Sequence, residues 1–296
     1  MKNYSVIIPA YNEANFLEGM LQSLCEQTVS ALEIILVNDN ATDDTETIMQ
    51  RFSAAHANIS YVNHDSEAVH LPGAKVIHAF AFGLKHLEQP CDVLVKLDAD
   101  LLLPENYFET ILAAFENPKV GIAGGFCYEQ NTSGLWVLNH PMGQDHVRGA
   151  FKAYSKACFA AIEGLRPAMG WDTVDELLAR YFGFSVQTLP ELHVKHRRPL
   201  GAGYAPRAAQ FQGAAFYVLR YGWLLSVLAS LKNAFLKKSL PTFFRLLSGY
   251  RKAKREQQPF LINAEQGKFI RTYRWNKIKL KSQNSRQFWL SKRGGF

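Results

Sequence analysis

Ser5-Val-Ile-Ile-Pro9 decides the fold of this chain, because its β-branched centre is typical of a strand that is buried on both faces of a parallel sheet. The polar turn Tyr11–Asn15 follows, and apolar residues then recur at helical spacing from Phe16 to Leu24. A second apolar run, Glu33–Val37, comes next. Strand, helix and strand in this order predict a β-α-β unit.

The alternation continues for two more rounds. Helical spacing over Asp43–Phe52 precedes the run Ile59–Asn63, and helical spacing over Lys75–Leu87 precedes the run Asp92–Leu97. Repeated strand-helix units build an α/β domain with an open, mostly parallel sheet and helices on its faces. We therefore predict a Rossmann-like α/β domain.

Beyond Gly121 the pattern is less regular, with glycines, aromatic residues and a loop rich in Asn, Ser and Gly. For this part we predict helices over Lys152–Ile162 and Asp172–Phe182, and a last strand over Val186–Leu189.

Polar residues follow three of the predicted strands, at Pro9–Glu13, Asn38–Asn40 and Asp98–Asp100. Ligands of open α/β sheets bind beyond the carboxyl ends of the strands. Asp98 and Asp100 are two carboxylates that can share one divalent cation, and their hard oxygen atoms suit Mg²⁺ or Mn²⁺. An Asp-x-Asp pair also occurs in ordinary solvated loops, but its position after the fourth strand favours a metal site.

Four blocks of the sequence, taken in order, resemble the family-2 glycosyltransferases, whose nucleotide-binding fold is called GT-A. The blocks are Ser5–Glu13, Leu21–Thr28, Glu33–Thr45 and Leu97–Asp100, within roughly the first hundred residues. The resemblance implies a metal-dependent hexosyltransferase that moves a sugar from a UDP- or GDP-sugar to a hydroxyl acceptor with inversion. It further implies a saccharide or lipid-linked acceptor and a role in bacterial surface polysaccharide or glycolipid assembly.

The resemblance also implies which residues hold the donor. Asp39 would accept a hydrogen bond from the uracil-type or guanine-type ring, although Asn38 and Asn40 replace the Asp and Gly that are usual beside it. Lys75, at the start of a helix, would add a cation near the diphosphate, where a helix N-terminus also favours an anion. An alternative places Lys75 on the surface of an amphipathic helix. The full set of expected donor contacts is Pro9, Tyr11, Glu13, Asp39, Lys75 and Asp98.

Asp172, Asp175 and Glu176 are the candidates for the catalytic base. An inverting transfer needs a group that takes the proton of the acceptor hydroxyl, and in the resembled family an acidic pair at a helix start supplies it. Spacing alone does not choose among the three acids. The alternative is that they cap the helix or offset its dipole.

His196 is a candidate third metal ligand, because it follows the last predicted strand and resembles the C-terminal histidines of several GT-A enzymes. Arg197 and Arg198 beside it could bind phosphate. The alternative is that this His-Arg-Arg run is a solvated surface loop.

Charge divides the chain into two parts. Residues 1–215 hold 15 Lys/Arg and 24 Asp/Glu, a net charge of −9, whereas residues 216–296 hold 18 and 2, a net charge of +16. We predict a catalytic domain over residues 1–205 and a helical, basic region over residues 206–296. Apolar stretches are interleaved with basic residues over residues 216–255, which is typical of helices that lie in a membrane interface. A helical subdomain that packs on the catalytic domain, or a dimer interface, is the alternative.

Location follows from three features of the sequence. The first fifteen residues carry no secretory signal, and four scattered cysteines fit a reducing cytoplasm. The longest uncharged run of the tail, Tyr221–Leu231, is too short to cross a bilayer as a helix. We expect a cytoplasmic protein that attaches peripherally to the inner face of the membrane and binds no nucleic acid.

Two other functions stay open at this point. A nucleotidyltransferase would also place acids and a metal at strand ends, but Pro-Ala-Tyr-Asn-Glu13 after the first strand lacks the Gly-rich basic loop of that class. A catalytically inactive scaffold protein that binds sugar nucleotides is the non-enzymatic alternative.

Overall fold

The structure, a computed structural model, describes residues 2–66, 73–139, 143–198 and 207–293. The chain forms two compact units, Met1–Gly203 and Tyr204–Phe296. The predicted domain boundary after residue 205 falls within residues 199–206, which lie outside the described residues.

The first half of the first unit alternates strands and helices, as the sequence predicts. Apolar side chains of Ile7, Ile35 and Leu94 pack with Phe80 in the core between the sheet and a helix. The elements are β1 Tyr4–Ala10, α1 Ala14–Cys25, β2 Glu33–Asn38, α2 Thr45–Ala55, β3 Ile59–Asn63, α3 Lys75–Leu84 and β4 Val93–Leu97.

The second half of the first unit completes the sheet. Its elements are β5 Leu101–Leu102, α4 Tyr107–Ala114, β6 Val120–Gln130, β7 Trp136–Leu138, β8 Phe151–Ser155, α5 Lys156–Ala161, α6 Trp171–Tyr181 and β9 Ser185–His196. Among the described residues the strand order is β3-β2-β1-β4-β8-β6-β9-β5, and β7 pairs with β6.

Register brings the ends of the strands together. The strands β3, β2, β1 and β4 run parallel, and Ala10 at the end of β1 lies opposite Asn38 at the end of β2. On the other side of the sheet, β5 pairs antiparallel with β9 so that Leu101 lies opposite His196. The residues after β1, β2 and β4 therefore share one edge of the sheet, and His196 reaches the loop after β4.

The prediction of one helix over Lys152–Ile162 is wrong at its start. Residues Phe151–Ser155 form β8, which pairs antiparallel with β4 and β6. Phe151 and Tyr154 are fully buried by these two neighbouring strands. The helix begins only at Lys156, where the Ser155 side chain accepts a hydrogen bond from the Cys158 N–H and caps it.

Two further predictions of the same region need extension. The segment after Gly121 is an eleven-residue strand, β6, and not an irregular stretch. Gly124 lets it pass close to its neighbours, because a Cβ there would lie 2.2 Å from the Val147 side chain. The strand predicted over Val186–Leu189 continues as far as His196, because it pairs with β6 and then with β5.

The second unit consists of helices. Within the described residues these are α7 Ala208–Val218, α8 Gly222–Leu236, α9 Leu240–Arg255 and α10 Ala264–Arg293. Helices α7 and α9 cross backbone to backbone, because a Cβ on Gly213 would lie 1.9 Å from the Leu246 carbonyl oxygen and one on Gly249 would lie 2.0 Å from that of Gln210. Across the part of the chain that the structure describes, no helix is both long and apolar enough to cross a membrane.

Candidate active site

Asp39 is the centre of a small cluster of polar side chains at the end of β2. Its N–H donates to the Ala10 carbonyl at 2.9 Å, which fixes the loop against β1. The buried carboxylate lies 3.0 Å from His64 Nδ1 and 3.7 Å from Lys75 Nζ. Lys75 Nζ also lies 4.7 Å from the centre of the half-exposed Tyr11 ring. The structure thus brings three predicted donor contacts, Tyr11, Asp39 and Lys75, into one cluster.

His64 was missed by the sequence analysis. It directly follows β3, at the same edge of the sheet as the residues after β1 and β2. Because ligands of open α/β sheets bind beyond the carboxyl ends of the strands, its position after the third strand was the available signal.

The environment of the remaining donor candidates differs. Pro9 is buried within β1 opposite Val37. Lys75 begins α3, and residues 67–72, which precede it, lie outside the described residues. Glu13 pairs with Arg198. Burial raises the pKa of Glu13 to about 7, although the Arg198 guanidinium opposes this shift.

Asp98, Asp100 and His196 converge at the end of β4. Each offers a ligand atom, and these atoms lie within 4.8 Å of one another. Two backbone hydrogen bonds hold this arrangement: the Arg197 N–H donates to the Asp100 carbonyl at 2.9 Å, and the Asp98 N–H donates to the Ala150 carbonyl at 2.8 Å. The three predicted metal ligands therefore come together in the folded chain.

The imidazole of His196 is oriented as in a metal ligand. Its Nδ1 hydrogen bonds to the Arg198 backbone carbonyl. Because a carbonyl oxygen only accepts, Nδ1 donates this hydrogen bond, and Nε2 faces the acids at 3.4 Å from Asp100 Oδ1. A ligating histidine commonly donates its other N–H to a carbonyl or carboxylate in this way.

The surroundings of the Asp100 carboxylate show whether a cation fits at this site. Its Oδ1 is buried and has no hydrogen-bond donor among the described residues. Burial and the charge of Asp98 raise the pKa of Asp100, although His196 and Arg198 act against this shift. Two converging carboxylates and one imidazole lone pair form a donor set that suits Mg²⁺ or Mn²⁺. The residues present fit a divalent cation.

Lys96 is a second residue that the sequence analysis missed. It is 1% exposed, and its Nζ contacts Asp98 Oδ1 and the Gly149 carbonyl oxygen, the latter at 3.1 Å. The same ammonium lies 5.2 Å from the centre of the Trp171 ring. A lysine inside the otherwise apolar strand Val93–Leu97 was the available signal, because a buried cation needs a partner.

The three candidate bases occupy two different environments. Asp175 and Glu176 are buried in α6 and share Lys152, whose Nζ lies 2.9 Å from both Asp175 oxygens and 3.1 Å from Glu176 Oε1. Asp172 is partly exposed. It also lies beside the loop that contacts Lys96, because a Cβ on Gly149 would be 3.0 Å from Asp172 Cβ.

Electrostatics within the buried cluster set the charge of each acid. Burial acts to raise the pKa of Glu176, but Lys152, His146 and the Val147 N–H lower it to about 2. Burial raises the pKa of Asp175 to about 6, although Lys152 opposes this shift. The Tyr154 hydroxyl donates to Asp175 at 2.6 Å. The cluster fastens α6 to β8.

The capping alternative for these acids does not hold. The residue before α6 is Gly170, in the left-handed region with φ of 85°, and no side chain caps the helix through a hydrogen bond. Asp172 in the first turn still interacts favourably with the helix dipole.

Comparison with known proteins gives the family. A sequence model described as "Glycosyl transferase family 2" matches residues 5–162, which is more than half of the chain. The chain belongs to glycosyl transferase family 2.

This family 2 chain also resembles individual relatives. It is 28% identical over 147 residues to glycosyltransferase GlyA of Streptococcus pneumoniae, a match that covers 50% of this chain and 20% of GlyA. The chain thus spans about a fifth of that relative's length.

Two solved structures share the fold of this family 2 chain. The first is mannosyltransferase PcManGT from Pyrobaculum calidifontis in complex with GDP-Man and Mn²⁺, with a TM-score of 0.55, 17% identity, and coverage of 87% of this chain and 88% of that protein. The second is S. aureus TarS 1-349 in complex with UDP-GlcNAc, with a TM-score of 0.55, 16% identity, and coverage of 78% of this chain and 66% of that protein. The predicted GT-A fold is confirmed.

Proposed function

We propose that this family 2 glycosyltransferase moves a hexose-type sugar from a UDP- or GDP-sugar to a hydroxyl group with inversion at the anomeric carbon. The observation that carries the proposal is the convergence of Asp98, Asp100 and His196 at the sheet edge that also holds Asp39. The two solved structures support it, since one contains GDP-Man with Mn²⁺ and the other contains UDP-GlcNAc.

The donor nucleotide would bind at the cluster around Asp39. The Asp39 carboxylate would accept a hydrogen bond from an N–H of the base, and Tyr11 offers a half-exposed aromatic face beside it. The Lys75 ammonium lies 3.7 Å from the Asp39 carboxylate and adds a positive charge to this site. Pro9 and Glu13 are further proposed contacts of the nucleobase and the ribose of the donor.

Asp98, Asp100 and His196 would hold the divalent cation, Mg²⁺ or Mn²⁺. When bound, such a cation offsets the negative charge that develops on a departing nucleoside diphosphate. The Lys96 ammonium donates to Asp98 Oδ1 and positions this carboxylate, and the Arg198 backbone carbonyl orients the His196 imidazole.

Transfer itself needs a base, and we assign that role to Asp172. Its carboxylate would take the proton of the acceptor hydroxyl while the hydroxyl oxygen forms a bond to the anomeric carbon and the bond from that carbon to the diphosphate breaks. Asp175 and Glu176 are less suited, because both are engaged by Lys152 inside the protein.

The proposed setting is bacterial surface polysaccharide or glycolipid assembly, with a saccharide or lipid-linked acceptor and a peripheral location on the cytoplasmic face of the membrane. The resemblance of the four N-terminal sequence blocks supports this setting. Membership of family 2 disfavours the nucleotidyltransferase alternative.

The test is release of UDP or GDP from a panel of sugar nucleotides with Mn²⁺. We expect turnover of one donor class, loss of turnover in Asp100→Ala, and loss in wild-type protein when EDTA removes the metal. Glu116→Gln, which changes an exposed acid after α4, is the matched control and should retain wild-type turnover. Binding of a sugar nucleotide without turnover of any donor would contradict the proposal and support the inactive scaffold.

A further inference from the structure

The turn between α8 and α9 exposes large apolar side chains. Phe235 is 82% exposed, Leu240 is 69% exposed and Phe244 is 61% exposed, and Leu231 and Leu236 beside them are more than half exposed. Single exposed apolar residues are common on proteins, but five large ones at one turn are not. We call these five residues, together with Lys237, Lys238 and Arg245, the α8–α9 corner.

Cations surround the apolar side chains of the α8–α9 corner. Lys237, Lys238 and Arg245 are exposed, and in the described part of the chain none of them pairs with a carboxylate. Residues 216–255 hold nine Lys/Arg and no Asp/Glu. The surface therefore combines apolar contact area with an uncompensated positive charge.

A groove continues from this corner along α9. Its volume is about 630 Å³, and its lining residues are Phe243, Phe244, Leu247, Ser248, Arg251, Lys252 and Arg255. The groove therefore presents aromatic side chains and guanidinium groups on one surface of α9, which suits an apolar layer bordered by anionic headgroups.

We infer that the α8–α9 corner docks this protein on a membrane surface that contains anionic lipids. Aliphatic and aromatic side chains favour the acyl boundary, and the cations favour the negative surface potential. A second copy of the chain is a poorer occupant, because it would bring two positively charged corners together. The idea that docking brings the active site to a membrane-bound acceptor rests on the proposed function. Docking itself is measured without donor or acceptor, so the two can fail independently.

The experiment is co-sedimentation of the full-length protein with sucrose-loaded vesicles. One set contains phosphatidylcholine alone, and the other contains phosphatidylcholine with phosphatidylglycerol. We expect binding to the anionic vesicles, weaker binding to the neutral ones, and a loss of affinity as salt rises, because salt screens the attraction. Equal binding to both vesicle types, or no binding to the anionic ones, would overturn the inference.

Variants separate the two contributions. Lys237→Gln with Lys238→Gln should weaken binding about thirtyfold, at about 1 kcal/mol for each basic residue near an anionic surface. Phe235→Ser with Leu240→Ser and Phe244→Ser should weaken it at least about a hundredfold, because apolar area no longer leaves water.

The matched control is Leu135→Ser with Phe182→Ser, which removes two exposed apolar side chains of the first unit and should leave vesicle binding unchanged. Circular dichroism checks that all variants fold. Size-exclusion chromatography with light scattering tests the other occupant: a dimer that the triple Ser variant turns into a monomer, with unchanged vesicle binding, would show that a second copy covers the corner and would refute membrane docking.

Discussion

Replacing Lys152 with Met removes the cation that the buried acids of α6 share. The Lys152 side chain is fully buried, and its Nζ lies 2.9 Å from both Asp175 oxygens and 3.1 Å from Glu176 Oε1. The Asp175 and Glu176 residues are 2% and 5% exposed, so water cannot replace the lost partner. Methionine has a similar length and no charge, so the change tests the ion cluster with little effect on packing.

The size of the effect follows from burial. Removing one partner of a buried ion pair costs about 3 to 5 kcal/mol, because it leaves a charge without compensation. Domains are stable by about 5 to 15 kcal/mol in total. We therefore expect Lys152→Met to lose about 3 to 5 kcal/mol of unfolding free energy at pH 7.

The deficit should depend on pH in a defined direction. Asp175 already has a pKa raised by burial to about 6, and loss of Lys152 raises it further. A carboxyl with a raised folded pKa destabilises the protein as the pH rises from its unfolded pKa to its folded pKa. As the pH rises from about 4 to 6, both proteins lose stability through Asp175, whereas between pH 6 and pH 7 the variant alone loses about 1.4 kcal/mol per pH unit. The difference between the two proteins should thus shrink as the pH falls from 7 to 6.

The assay is urea unfolding followed by circular dichroism at pH 7 and pH 6. Lys156→Met, at an exposed lysine that begins α5, is the control and should change stability little. Adding Asp175→Asn to Lys152→Met should recover part of the loss, because it removes a charge and keeps an acceptor for Tyr154. A loss below about 1 kcal/mol, or a loss that is the same at both pH values, would refute this reasoning.

Three further predictions address the catalytic site and the helical unit. Asp172→Asn should lower kcat about 10² to 10⁴-fold and leave nucleotide affinity unchanged, since it removes only the proposed catalytic base. Steady-state kinetics and calorimetry measure the two quantities, and a change in affinity with unchanged kcat would contradict that role. Asp39→Ala should weaken binding of UDP or GDP about ten- to a hundredfold, because one hydrogen bond to a charged group is lost. Equal affinity of wild type and variant in titration calorimetry would exclude Asp39 as a contact of the nucleobase. Gly249→Ala should destabilise the second unit by about 1 to 3 kcal/mol, because a Cβ there would lie 2.0 Å from the Gln210 carbonyl oxygen. Thermal unfolding measures the loss beside the control Ser248→Ala, at an exposed position, and equal stability of the two variants would argue against the close crossing of α7 and α9.

Local patterns predicted the first half of the fold well, and the reason is physical. Runs such as Ser5–Pro9 and Glu33–Val37 are strands in the structure because central parallel strands under helices must be apolar on both faces. The meeting of His196 with Asp98 and Asp100 was predicted from the resemblance. It depends on the pairing of β5 with β9, which no local pattern reveals.

Long-range contacts explain what the sequence did not reveal. The segment Phe151–Ser155 contains Lys152, and a lysine argues against a strand that is buried on both faces. Only the acids of α6, more than twenty residues away, make its burial favourable. The same contacts divide the three candidate bases, because Lys152 engages Asp175 and Glu176 and leaves Asp172 partly exposed. Spacing within one helix carries no information on that division.

Calorimetric titration of UDP and GDP into the wild-type protein and Asp100→Ala, each with Mn²⁺ and with EDTA, measures whether nucleotide binding depends on the metal site. We propose that Asp98, Asp100 and His196 hold a divalent cation against the diphosphate of the nucleotide. We expect one nucleotide to bind the wild type with Mn²⁺. Its affinity should fall at least about tenfold with EDTA or in Asp100→Ala, since outright loss of a metal ligand should cost no less than loss of its supporting contacts. Equal affinity under all four conditions, or no binding of either nucleotide, would contradict it.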